Sequence, residues 1–219
     1  MISVILTPAP MVAVSDEPIP RLIRRFERLD GRLIATVTGM GVVVCLGFIE
    51  LLRSPLQQLS RVTIELLAVR ALLFMGPLLV SLLLLLRDGP LLLGERRSPG
   101  SWGPELLASG LLSVVLLLYY MAAVMITASV TLNQGDVVAE VGFLISQLEP
   151  ARFAAALARA GVYGAITAAI CLNQARRSST GALAMASRMS RSFLLGFGVL
   201  FCLDLLWTIA VDPLRMGGS

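Results

Sequence analysis

The sequence contains no histidine and no lysine, so all eighteen of its basic residues are arginines. Without histidine the chain cannot form a Ser-His-Asp relay, a Cys-His pair, an imidazole zinc site or a His-ligated haem. It also lacks a Gly-x-x-x-x-Gly-Lys-Ser/Thr phosphate-binding loop. Carboxylates are not clustered in a way that predicts a general acid–base pair. We therefore expect no catalytic, metal or cofactor-binding site in this chain.

Cysteine is also scarce. Cys45, Cys171 and Cys202 are the only three, and they include no Cys-x-x-Cys pair. All three lie inside apolar segments, and we expect buried free thiols that behave as small hydrophobic side chains. The cysteines therefore predict neither a disulfide framework nor a redox centre.

Long apolar runs are what the chain has in abundance. The hydrophobic fraction is 57% and the mean hydropathy is +0.85. Five stretches reach the roughly 20 residues that a helix needs to cross a hydrocarbon core of about 30 Å. They are Leu33–Leu52, Val62–Leu86, Leu106–Leu132, Phe153–Ala175 and Ser192–Val211. This pattern predicts an all-α, polytopic membrane protein with about five transmembrane helices.

Arginine placement predicts the orientation of these spans. Twelve arginines lie before the first span, between the second and third, or between the fourth and fifth; four lie in the alternate loops or after the last span. Since arginine-rich loops stay cytoplasmic, the N-terminus is predicted inside and the C-terminus outside. The expected location is the bacterial inner (plasma) membrane or an equivalent membrane.

The residues before the first span divide into two parts. Residues 1–20 are rich in proline and small side chains and are predicted to be flexible. Residues 21–32 include the run RLIRRFERLD, whose apolar positions recur at helical spacing among arginines. This run predicts a short amphipathic helix at the membrane surface, with a solvated basic leader as the alternative. Residues 33–219 form the predicted transmembrane domain.

Three charged residues fall inside the predicted spans. At a helical rise of about 1.5 Å per residue, Arg70, Arg159 and Asp204 all lie at a similar depth, roughly 10–12 Å from the outer boundary. A charge at this depth is costly unless it is paired. We expect Asp204 to pair with Arg159 or with Arg70. The alternative is that the arginines extend separately towards the headgroups and Asp204 is neutral.

The fourth span is rich in small residues at three- and four-residue spacing. The predicted packing residues are Ala154, Ala158, Gly161 and Ala165. Small side chains let helices approach closely in lipid. This face is predicted to lie inside the bundle or at a dimer seam, with a substrate groove as a further alternative.

Two separated segments resemble the permease subunit of the Mla-type lipid ABC transporters. The first begins at Gly76-Pro77, continues as an apolar run to Arg87-Asp88-Gly89, and closes at Glu95. The second comprises the loop Ser178-Ser179-Thr180-Gly181-Ala182 and the last-span run Phe201–Trp207, which includes the acidic position Asp204. The resemblance extends from about residue 32 to the C-terminus.

Two departures from that family bear on function. Leu73 and Phe74 stand where the family usually has a charged Arg-Glu pair. The cytoplasmic coupling helix that docks on the ATPase is compressed to residues 96–105, where two prolines and two glycines disfavour a helix. Docking therefore uses other surfaces, or the chain has lost its coupling to ATP hydrolysis.

The resemblance implies a permease subunit that moves phospholipid or another membrane lipid. Its implied partners are a second permease chain, in a homo- or heterodimer, a separate ATP-binding subunit and an MCE-domain lipid-binding protein; no nucleic acid is expected. Arg87 and Glu95 are candidates for a polar base of the lipid cavity. The alternative is that they serve only as a positive charge that keeps the loop cytoplasmic and as a helix cap. The competing functional hypothesis is a non-transporting, permease-like accessory subunit of a larger membrane complex.

Overall fold

The structure is a computed structural model that describes residues 31–53, 61–94, 102–132, 137–176 and 182–211. Residues 1–30, which include the predicted flexible segment and most of the predicted surface helix, lie outside the described part. Glu95 and the loop 177–181 also lie outside it. The statements below concern the described residues.

Six helices account for nearly all of the described chain, and no strand occurs in it. They are α1 (Gly31–Arg53), α2 (Arg61–Gly94), α3 (Trp102–Leu132), α4 (Val137–Gln147), α5 (Pro150–Arg176) and α6 (Ala182–Val211). The short helix α4 corresponds to the amphipathic stretch between the third and fourth spans, and it packs on α3.

Five of these helices are long and apolar enough to cross a membrane. The spans are Gly31–Leu52, Leu67–Pro90, Trp102–Thr131, Pro150–Ala175 and Met189–Trp207. Each overlaps one of the five stretches predicted from hydropathy. The predicted class is confirmed: the protein is an all-α, polytopic integral membrane protein.

Helix α2 continues through two prolines, Pro77 and Pro90. Each proline removes one backbone donor from the helix, a loss that membrane helices tolerate where neighbouring helices surround the site. Pro77 is fully buried. With 34 residues, α2 is about 51 Å long at the usual helical rise, so it is longer than the hydrocarbon core.

Helix α5 is at the centre of the bundle, where it packs against both α3 and α2. Glycines bring α3 and α5 close together. A Cβ placed on Gly110 would lie 2.8 Å from the carbonyl oxygen of Gly161. One placed on Gly164 would lie 2.6 Å from the Cβ of Ser113. Any side chain at Gly110 or Gly164 would therefore push the two helices apart.

The predicted packing motif Gly76-Pro77 lies inside the bundle, against α3. A Cβ on Gly76 would lie 2.9 Å from Leu117 Cδ1 and 3.1 Å from the ring of Tyr120. Tyr120 is fully buried, and its other neighbours include Gly41 of α1. Glycines on two helices thus make room for one aromatic ring of α3.

The packing face of α5 includes the predicted Gly161, which meets α3 at Gly110, but it does not include Ala154 and Ala158. Ala154 and Ala158 are exposed, and Gly161 and Ala165 are half-buried. The fully enclosed small residues lie on the neighbouring face of the helix, at Ala156, Ala160, Gly164 and Ala168. Both sides of α5 are rich in small residues, so spacing alone did not identify the side facing α2 and α3. Ala154 and Ala158 do not pack inside this chain, and the dimer-seam alternative stays a prediction.

Candidate intramembrane charge cluster

A buried ion pair joins α5 to α6 within the spans. An Nη atom of Arg159 donates to Oδ1 of Asp204, and both side chains are enclosed, at 5% and 9% exposure. Arg159 is nine residues from the start of α5, and Asp204 is seven residues before the end of α6. Both therefore lie towards the end of the bundle where α5 begins and α6 ends, which we call the α4 end.

Two further groups hold this pair in place. The hydroxyl of Tyr163, one turn after Arg159 on α5, donates a 3.0 Å hydrogen bond to Oδ1 of Asp204. The same Nη of Arg159 donates a 3.5 Å hydrogen bond to the backbone carbonyl of Phe74 on α2. Three helices thus contribute polar contacts to one point in the membrane.

Aromatic rings enclose the rest of the guanidinium group. Its central carbon lies 4.6 Å from the ring centre of Phe74, 5.9 Å from that of Tyr163 and 5.8 Å from that of Trp207. Each distance falls within the range of a cation–π contact, which is stronger where water is excluded. The Nε of Arg159 is buried and has no hydrogen-bond partner in the described residues. We call Phe74, Arg159, Tyr163, Asp204 and Trp207 the charge cluster.

Of the two predicted partners for Asp204, the structure selects Arg159. Arg70 is exposed on α2, and among the described residues it has no ion-pair partner. It is nevertheless close in sequence to the cluster, because Phe74 follows it by one helical turn. Arg70 therefore lies at the edge of the charge cluster.

The other predicted polar residues lie elsewhere. Arg87 is half-buried on α2, thirteen residues beyond Phe74, which places it about 20 Å further along the helix axis. Glu95 lies outside the described residues. The structure thus separates Arg87 from the charge cluster.

A small cavity lies near Arg87, between α2, α3 and α5. Its empty volume is about 180 Å³, and its lining is Leu84, Leu85, Asp88, Leu92, Ser109, Thr167, Ala168 and Cys171. This is less than the roughly 300–1,000 Å³ of ordinary small-molecule pockets. The cavity is too small to enclose a membrane lipid.

No group of three or more histidine, cysteine or acidic side chains is arranged to hold a metal ion in the part of the chain that the structure describes. Cys45 and Cys171 are buried free thiols, whereas Cys202 is exposed on α6. The expectation that all three thiols are buried is therefore wrong for Cys202. This residue lies within an apolar span, on a side of α6 that other helices of the chain do not cover.

Sequence reasoning identified the ion pair but missed the aromatic enclosure. Tyr163 follows Arg159 by four residues and Trp207 follows Asp204 by three, so helical spacing was a usable signal for both. Phe74 had no such signal, because its contact depends on how α2 packs against α5.

The chain matches no protein-family model and no curated protein.

Proposed function

We propose that this chain is the transmembrane permease subunit of a lipid-transporting ABC system. In this proposal it has no catalytic or nucleotide-binding site of its own, and a separate subunit hydrolyses ATP. A second permease chain completes the lipid path, and an MCE-domain protein receives or supplies the lipid outside. The chain lies in the bacterial inner membrane or an equivalent membrane, with its N-terminus cytoplasmic and its C-terminus outside.

One observation carries the proposal: the last-span run that resembles the permease family contributes two residues to the charge cluster inside the bundle. Phe74 lies two residues before Gly76-Pro77, and it contacts Arg159 through its ring and its carbonyl oxygen. Asp204 and Trp207 belong to the last-span run, and they contact the same arginine. Ionisable residues inside a membrane bundle are costly and are commonly functional. The contacts of Asp204 and Trp207 with Arg159 therefore support a functional role for the last-span run, whereas Phe74 stands where the chain departs from the family.

The distribution of burial supports the need for a second chain. The first and last spans are only 28% and 22% buried in their most apolar windows, against 50–56% for the other three. The cavity between α2, α3 and α5 is too small for a lipid. In this proposal the lipid path includes surfaces that the described helices leave open, such as those of α1 and α6.

A second candidate function is a non-transporting accessory subunit, and one observation favours it. Helix α2 ends at Gly94 and α3 begins at Trp102, so only seven residues connect them. Residues 102–105, where a glycine and a proline were expected to disfavour a helix, form the first turn of α3, and a seven-residue connection is short for the coupling helix that the family resemblance implies. An accessory subunit would need no such docking element.

Partner identification separates these candidates. The tagged chain would be purified in mild detergent, and co-purifying proteins would be identified by mass spectrometry. Recovery of a P-loop ATPase together with an MCE-domain protein is the result expected for a permease. Recovery of an unrelated membrane complex without either partner would refute the permease proposal and support the accessory role.

A further inference from the structure

We propose that the chain binds the phosphate group of an anionic membrane lipid at Arg70, on the surface between α2 and α6. The site consists of Arg70, Phe74 and Trp207, and we call it the Arg70 site. It goes beyond the proposed function, because it requires neither ATP hydrolysis nor lipid movement. An accessory subunit would bind a lipid here equally well.

The first argument is charge. Arg70 lies inside the second span, three residues from its first residue, Leu67. Its side chain is exposed and has no ion-pair partner among the described residues. Nearby, Arg159 is compensated by Asp204. Asp204 therefore neutralises Arg159 only, and the charge of the exposed Arg70 stays uncompensated among the described residues.

The second argument is position. Arg70 and Phe74 are four residues apart on α2, so they share one face of the helix. The ring of Phe74 lies 4.6 Å from the guanidinium carbon of Arg159, and the ring of Trp207 lies 5.8 Å from the same atom. Trp207 is 39% exposed. Arg70 therefore lies about one helical turn from Phe74. The rings of Phe74 and Trp207 both lie beside the Arg159–Asp204 pair, whose charges neutralise each other.

These features match the chemistry of a lipid headgroup. A guanidinium group binds a phosphate through two parallel hydrogen bonds, and it keeps its charge in an apolar environment. An arginine near the end of a span reaches the headgroup level through its flexible stem. Trp207 offers an apolar surface to the glycerol and upper acyl region, with a polar N–H at its edge. The internal pairing of Asp204 with Arg159 limits repulsion of the phosphate.

The test measures which lipids surround Trp207. Trp102 is the only other tryptophan, so a Trp102→Phe background leaves Trp207 as the single fluorophore. The purified chain would be placed in phosphatidylcholine nanodiscs containing a minor fraction of brominated phosphatidylglycerol or brominated phosphatidylcholine. Quenching of Trp207 then reports the local enrichment of each lipid. We expect phosphatidylglycerol to be favoured about fivefold, the effect of roughly one arginine near an anionic surface.

Matched variants assign the preference to Arg70. Arg70→Gln should abolish it, whereas Arg70→Lys, which keeps the charge, should retain part of it. Arg152→Gln is the control, because Arg152 is also exposed near the α4 end but already pairs with Glu149. Equal quenching by the two lipids, or an unchanged preference in Arg70→Gln, would overturn the proposal.

A further arm separates a lipid phosphate from a soluble one. Inorganic phosphate would be added to nanodiscs with brominated phosphatidylglycerol at constant ionic strength, using chloride as the reference. Unchanged quenching supports a lipid ligand. Loss of the phosphatidylglycerol preference on addition of phosphate alone would mean that the site takes free phosphate, and it would overturn the lipid assignment.

Discussion

Breaking the buried pair between Arg159 and Asp204 should destabilise the protein far more than removing both partners. Asp204→Asn keeps the size of the side chain but leaves Arg159 charged and enclosed at 5% exposure. Leaving one member of a buried pair uncompensated costs about 3–5 kcal/mol. Replacing both by apolar residues of similar volume is often neutral or stabilising. We therefore expect the double variant Arg159→Met/Asp204→Leu to recover most of the stability lost in Asp204→Asn.

The free energy of unfolding would be measured by titrating dodecyl sulfate into mixed micelles and following helical circular dichroism. The matched control is Glu149→Gln, which breaks the exposed pair with Arg152 near the same end of the bundle. An exposed pair is worth about 0–1 kcal/mol. The reasoning fails if Asp204→Asn costs no more than this control, or if the double variant is as unstable as the sum of the two single ones.

Three smaller predictions follow from the same structure. Tyr163→Phe removes one hydrogen bond to Asp204 and should cost about 0.6–1.7 kcal/mol in the same titration, the range for hydrogen bonds between membrane helices; no measurable loss would mean that the bond is absent. Gly164→Val should destabilise the protein by at least about 1–3 kcal/mol, because its Cβ would overlap α3. Gly198→Val is the control and should be tolerated, because a Cβ there meets nothing within 4 Å. Equal effects of the two variants would contradict the close approach of α3 and α5. A membrane-permeant maleimide should label Cys202 in folded micelles and leave the two buried cysteines unlabelled until dodecyl sulfate is added; labelling of all three at equal rates in the folded protein would argue against the packing of α1 and α5.

The five spans could be predicted because hydrocarbon thickness sets a simple requirement on length and composition. Each observed span overlaps a predicted apolar stretch. Arg159 could also be predicted as a partner of Asp204, because opposite charges at similar depths in a membrane are costly unless they pair. Its competitor Arg70 lies at a similar depth, so depth alone left the choice open. The structure shows the pair with Arg159, whose guanidinium group also packs against Phe74.

The packing face of α5 could not be predicted from small-residue spacing. Alanine and glycine occur on both sides of that helix, so the residues at Ala154 and Ala158 satisfy the same rule as those at Ala156 and Ala160. The side that faces the bundle carries Gly164, whose fit against Ser113 depends on the neighbouring helix. Close packing is a property of two surfaces, and the sequence of one helix specifies only one of them.

The proposed role of the chain in lipid transport is tested most directly by the distribution of lipids between membranes in cells that lack it. Deletion is expected to change that distribution, and the wild-type chain is expected to restore it. Asp204→Asn, expressed at an equal level in the membrane, is expected to restore it only in part. An unchanged lipid distribution after deletion, together with the loss of a specific membrane complex, would contradict the permease proposal and establish an accessory role.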